Sequence, residues 1–412
     1  MRFGIFSIVL ALALGGGSPR ILGNISVNGI DIGGLGRAAA YERLCAELNM
    51  DGLQIKILAA DAVHIYTFAD FAAGYDIDAA LDEVMDFSDA GIFAGIQRRV
   101  SLNFTPRDFA AEYKYDAALV EEIAAEIAAA HNIAPREPSY TITAGRFDIK
   151  EGRQGRQMDI TALARDIGGA LNNKKSAEIS AVFDAVATRM TAADFAEATD
   201  LIGTFATPFD PANPSRATNI RVASNFLDNQ TILPQEVFST SAALRPRVTE
   251  NGYVNAGQIV NGRPDEGVGG GICQVSSTLY MAALYAELPI VERRSHSLQV
   301  GYMAPATDAT LAEGHIDLKI KNDRNRPVLI QSVLTENRHI INIYGRETRP
   351  AGRRISFESI LTEHAAHPEG EQPFAGMEGG KYELYKIIEN SGGAERVKIN
   401  TSAYKPLLDV RE

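Results

Sequence analysis

At 412 residues, with 45% hydrophobic and 22% charged side chains, the chain has an ordinary globular composition and is too long for one compact core. A net charge of −12 with no basic cluster argues against a nucleic-acid surface. Only two cysteines are present, Cys45 and Cys273, which rules out a disulfide-stapled framework but leaves one bridge between them open. No CxxC and no Cys/His pair at ligand spacing occurs, so neither a metal nor a cofactor is expected.

At the N-terminus, Arg2 precedes a largely apolar run from Phe3 to Leu14, followed by GGGSPR. That run is short for a membrane span and suits the core of a secretory signal, with Ala11 and Ala13 as a cleavage element. Residues 1–20 are therefore expected to be a signal peptide or an N-terminal membrane anchor, and the protein extracytoplasmic. NISVNGIDIGG (24–34) alternates apolar and polar positions around Asn28-Gly29, a hairpin signal. The next segment carries Ala40, Leu44 and Leu48 at helical spacing; Cys45 lies in this helix, where a small packed side chain is the expected role. A second helix is predicted over 115–132. Residues 139–173 then read as strand, turn, strand and a helix capped by Asp159 or Thr161. Residues 21–135 are expected to form one α+β domain and 136–200 a second, smaller α+β unit.

TFATPFDPANPSR (204–216) has three prolines and no apolar period, which predicts a linker or boundary loop. Beyond it, residues 201–346 read as a mixed, β-rich domain, with HIDLKIKN and HIINIYG as half-buried antiparallel strands. In the first of these, His315, Asp317 and Lys319 share a face. Residues 347–412 are polar and turn-rich and are expected to be a β-rich extension. The fold class is α+β.

The chemistry gathers at GVGGGICQVSSTLY (267–280). A phosphate loop would need Gly-Lys-Ser/Thr where Ile272-Cys273-Gln274 stands, and a dinucleotide fingerprint would need glycine at position 272. Val275, Leu279, Ala282, Ala283 and Ala286 fall on one helical face, and Leu288-Pro289 should end that helix. Cys273 then lies at a helix N-terminus, where free N–H groups and the macrodipole favour thiolate over thiol. Glycines just upstream let backbone N–H groups point at a ligand, as an oxyanion hole requires. A nucleophilic cysteine needs a base, and His296 is the nearest candidate, with Asp317 or Asp308 to orient it. Arg293 and Arg294 read as a solvated strand edge, with one of them available to a substrate carboxylate. The competing reading is a buried structural thiol.

GGGICQVSSTLY, IVERRSHSLQVGY, DAT and HIDLKIKN together resemble the VanW domain, as do RATNIRVASNFLDNQTILPQEVFS and GYVNAGQIVNGRPDEG upstream, over about residues 200–346. The family usually has Pro-Gly and Phe-Ser-Phe-Asn where this chain has Leu233-Pro234-Gln235 and Phe238-Ser239-Thr240. VNGIDIGGL and GRFDIKEGRQGRQMDITAL resemble the peptidoglycan-binding domains that often precede VanW and YkuD-type L,D-transpeptidase domains. The resemblance implies a cell-wall enzyme of the cysteine L,D-transpeptidase kind acting on peptidoglycan stem peptides. Cys273 would be its nucleophile and His296 its base. Gly269, Gly270, Gly271, Gln274, Ser276, Arg293, Arg294, Ser297 and Tyr302 would form the oxyanion and substrate-binding set. A non-catalytic peptidoglycan-binding or resistance-accessory protein, and a related amidase or peptidase, are the alternatives.

Overall fold

The computed structural model describes residues 19–407 apart from 90–91, 144, 261–262, 367–372, 374–376 and 391–392. The signal or anchor segment expected over 1–20 lies almost wholly outside them. Among the described residues, no helix is long and apolar enough to cross a membrane. The fold is α+β. The chain divides into two compact units whose boundaries interleave: residues 1–134 with 154–186, and residues 135–153 with 187–412.

In the N-terminal unit, Asn28 and Gly29 adopt φ of 50° and 79°, both in the left-handed region that a two-residue hairpin turn needs. They join Ile25–Val27 to Ile30–Asp31, and the first strand also pairs in parallel with Arg107–Phe109. Ala40 and Leu44 of helix Arg37–Glu47 are fully buried, as their spacing predicts. A second sheet places Gln54–Ala59 between Ala62–Thr67 and Ala177–Ser180. Helices Ala117–His131 and Ile160–Asn173 cover it, and Asp159 caps the latter through the Ala162 N–H. Cys45 is half-buried and lines an open cleft with Asn49, Asp51 and Ile77. Both cysteines are free, so the bridge that the sequence left open is not made.

In the C-terminal unit, a four-stranded sheet runs in the order Asp200–Pro208, Arg338–Gly345, Val328–Leu334 and Gln230–Ile232. Its first strand and the helix after it reduce the linker or boundary loop expected at 204–216 to residues 209–213. Pro208 ends the strand, and Pro214 is the first residue of helix Pro214–Leu227, where its missing N–H costs nothing; Asn213 caps that helix through the Arg216 N–H. The prolines therefore punctuate two elements. HIDLKIKN is strand only over Lys319–Lys321, because Ile316 turns back to bridge Ala312, and the expected face shared by His315, Asp317 and Lys319 does not form. HIINIYG is strand, as expected.

Helix Ile272–Tyr285, here called the thiol helix, lies on the strand Asp200–Pro208. It is buried on nearly all sides rather than amphipathic, and it ends short of Leu288. Gly203 permits the close approach: a Cβ there would stand 2.4 Å from the Ala282 carbonyl oxygen. The region expected to be a β-rich extension is rich in strand and joins the core. Arg354–His364, Gly380–Asn390 and Gly393–Tyr404 form a three-stranded antiparallel sheet whose Leu384 is fully buried in the same core as the thiol helix.

Candidate active site

Three consecutive glycines set the start of the thiol helix, each with a backbone reason. Gly269 and Gly271 adopt φ of 90° and 109°, and a Cβ on Gly270 would meet the carbonyl oxygens of Ala256 and Gly257 at 2.6 Å. The run is thus required by the turn itself, before any ligand is considered. The N–H groups of Gly269, Gly270 and Ile272 are spent on the carbonyls of Val254, Gly267 and Gly269. Those of Gly271 and Cys273 have no acceptor among the described residues. Of the N–H groups near Gly270–Cys273 that were expected to face an oxyanion, these two are the ones left without an acceptor among the described residues.

Cys273 sits in the first turn of the helix, half-buried. The Leu311 N–H donates to its Sγ at 3.4 Å, and the Thr310 hydroxyl and Leu311 carbonyl oxygens lie 3.7 Å away. His296 Nδ1 is 2.6 Å from Asp308 Oδ2, which also accepts the His296 backbone N–H at 2.7 Å. That arrangement leaves Nε2 unengaged by Asp308. Burial alone would push the thiol up, but hydrogen bonding to His296 and the imidazolium charge, helped by Leu311 and Thr310, bring it down to about 7. Burial would likewise lower His296, yet hydrogen bonds to Asp308 and Cys273 and their charges raise it to about 9. Asp308 is held below the usual carboxylate range: its burial is outweighed by His296, with the Tyr404 hydroxyl assisting.

The sequence left Asp308 and Asp317 open, and the geometry separates them. Asp308 is fully buried against His296. Asp317 accepts from Ser239 Oγ and from the N–H groups of Ser241 and Leu318, and it makes no contact with His296. Arg293 is not a solvated edge. Its side chain is 8% exposed, and it donates to the Asp308 carbonyl at 2.7 Å, to Asp308 Oδ1 at 3.2 Å and to Ser402 Oγ at 2.8 Å. Arg294 and Ser297 are exposed and hold neighbours through their carbonyls, Thr310 N–H and Lys405 N–H respectively.

Gln274 and Ser276, expected to face substrate, face inward. Gln274 is 1% exposed, donates to Thr207 Oγ1 and the Pro208 carbonyl, and accepts from Arg216. Ser276 is fully buried and bonded to the Ala309 carbonyl. Ser277 donates to the Cys273 carbonyl at 2.6 Å and accepts the Ala309 N–H at 2.9 Å. The serine pair thus pins the Asp308–Thr310 segment to the thiol helix. Tyr302 is at the site, its hydroxyl 3.3 Å from Ser277 Oγ, and burial pushes it far above its ordinary value.

Sequence reasoning missed the support supplied by the final strand. Tyr404 donates to Asp308 Oδ1 and accepts the Ala306 N–H at 2.6 Å, while Asn400 donates to the Tyr280 hydroxyl and the Ala306 carbonyl. No local signal marks these residues; only alternation in a polar stretch hints that one face is covered. The site combines a thiol, an imidazole fixed by a buried carboxylate, and two N–H groups at a helix start that have no acceptor among the described residues. Such a group can form a thiolate–imidazolium pair and carry an acyl group on sulfur. Among the described residues no cluster of three or more metal-ligating side chains occurs.

Residues 215–344 match the family described as "VanW like protein", and residues 66–180 match the one described as "Putative peptidoglycan binding domain". The chain is 40% identical over 149 residues to "Uncharacterized protein YoaR" of Bacillus subtilis (strain 168), covering 36% of this chain and 49% of that protein. It is 27% identical over 179 residues to "Vancomycin B-type resistance protein VanW" of Enterococcus faecalis (strain ATCC 700802 / V583), covering 42% and 60%. The chain thus spans only about half of the length of the curated relatives it matches. No solved structure matches it.

Proposed function

This chain carries a VanW-like domain preceded by a domain of the peptidoglycan-binding type, and from that premise we propose that it is a cell-envelope cysteine acyltransferase acting on peptidoglycan stem peptides. The observation that carries the reading is geometric: Cys273 opens the thiol helix beside two N–H groups that have no acceptor among the described residues, and His296 is fixed by the buried Asp308.

In the first half-reaction the Cys273 thiolate attacks the carbonyl carbon after the third residue of a stem tetrapeptide. The oxyanion is received by the Cys273 and Gly271 N–H groups. Imidazolium His296 gives its proton to the leaving amine nitrogen, the C–N bond breaks, D-alanine departs and a thioester remains. In the second, neutral His296 takes a proton from an incoming side-chain amine as that amine attacks the thioester. The thiolate is restored and a cross-link is made. Asp308 keeps the imidazole oriented and stabilises its charged form. Water in place of the amine would give a carboxypeptidase by the same first step.

The test is incubation of the protein with a stem tetrapeptide and an amine acceptor, following D-alanine release and cross-linked product. Wild type is expected to yield both, and Cys273→Ala, folded as judged by its circular dichroism, neither. Release without cross-linking would assign the hydrolytic reaction. Full activity in Cys273→Ala would sink the mechanism, and inactivity of the wild type would favour a binding role.

A further inference from the structure

An acyl donor whose leaving residue ends in a carboxylate is matched most directly by a cation near the thiol. The sequence offers Arg293 and Arg294, but Arg293 is consumed by Asp308 and Ser402, and Arg294 is exposed. Arg216 is also committed: it donates to Gln274 Oε1 at 2.9 Å, and its guanidinium lies 5.8 Å from the Tyr302 ring centroid.

Arg247 is different. Its side chain runs along the glycine turn, since a Cβ on Gly269 would lie 3.4 Å from Arg247 Cβ and 3.6 Å from Cδ. It is 11% exposed, and its buried Nε has no partner among the described residues. Nη2 makes one long hydrogen bond to Ser241 Oγ at 3.3 Å, and Nη1 stands 3.9 Å from Glu313 Oε2. Glu313 follows closely on Leu311, whose N–H donates to the Cys273 sulfur. The side chain therefore runs from the turn that starts the thiol helix, along which its stem lies, to the loop that carries Glu313. Buried donors are ordinarily satisfied, and the edge formed by Nε and one Nη matches a carboxylate bidentately. Glu313, its side chain 55% exposed, meets that cation only loosely and leaves Nε unmet.

We propose that Arg247 receives the carboxylate of the acyl donor's leaving residue at its Nε edge, with the loose Nη1–Glu313 pair as the competing contact in the unliganded protein. The proposal rests on Cys273 being the nucleophile and names the charge that its substrate carries. Donor selection then follows from charge: a donor whose leaving residue is amidated would lose this contact.

Iodoacetate and iodoacetamide differ in charge and little in shape, and both alkylate a thiolate by forming S–C as C–I breaks and iodide leaves. Rates are read at Cys273 itself by peptide mass, which sets Cys45 aside. Arg247→Gln is expected to slow iodoacetate at least about tenfold, the size of one lost charge-assisted contact, while leaving iodoacetamide within about twofold. Glu313→Gln is expected to speed iodoacetate and leave iodoacetamide unchanged; it carries the test if Arg247→Gln fails to fold. An unchanged ratio of the two rates in these variants, with normal iodoacetamide reaction, overturns the role of Arg247 alone. A Cys273 unreactive to both reagents in the wild type overturns the nucleophile reading and this proposal with it.

Discussion

Cys273 and His296 shift in opposite directions, and the signs define a pH window. The thiol's folded value is depressed to about 7, so its contribution to stability is present above the unfolded value and is lost as pH falls through about 7. The imidazole's value is raised to about 9, so its contribution is present below the unfolded value and is lost as pH rises through about 9. Both partners are charged between those limits. Asp308→Asn removes the carboxylate that helps hold the imidazolium, so less thiolate should be present at neutral pH. Its Cys273 alkylation at pH 7 is expected to fall several-fold, with the loss recovered at higher pH; a loss that persists at high pH would mean the site had collapsed. At this scale the sequence showed what was local. Cys273 is adjacent to its turn and His296 lies in the next recognisable block, whereas choosing Asp308 over Asp317 depends on a loop pinned by Ser276 and Ser277 from another element. The burial of Arg293 was hidden for the same reason, because its partners Asp308 and Ser402 are remote or unmarked.

The thiol helix was legible from its apolar period, and Val275, Leu279, Ala282, Ala283 and Ala286 are all fully buried. The strand beneath it was not, because three prolines around it look like a linker until their places at strand and helix ends are known. Gly203→Ala would press a methyl group into the Ala282 carbonyl and the Ala286 N–H, both backbone atoms that cannot swing away. We expect it to cost about 1–3 kcal/mol or more, read as a lower denaturant midpoint. The final strand makes a different prediction. Tyr404→Phe removes a donor to Asp308 and leaves the Ala306 N–H unmet, costing about 1–3 kcal/mol.

On the scale of the whole chain, the segment matching the VanW family stops at 344, but the site-bearing unit does not. Asp200–Pro208 pairs with Arg338–Gly345 from before the matched segment, and the sheet over 354–404 adds Leu384 to the core and Tyr404 to the site. The polar character of residues 347–412 concealed this, since a strand covered on one face needs apolar groups only at alternate positions. A chain ending at Gly345 is therefore expected to bind a hydrophobic dye and to lose the depressed Cys273 midpoint, and full retention of both compactness and midpoint would contradict the structure. The interleaved boundary around 135–153 was equally invisible, because chain order does not report which unit a hairpin joins.

Everything proposed for this protein rests on an activated thiol, and one measurement addresses it directly: the rate of Cys273 alkylation by iodoacetamide as a function of pH, followed at the Cys273 peptide, in wild type and in His296→Gln. A midpoint near pH 7 is expected in the wild type, moving above about 9 in His296→Gln, where burial acts on the thiol without its cationic partner. A wild-type midpoint at or above 9, unchanged by the substitution, would contradict an activated thiol.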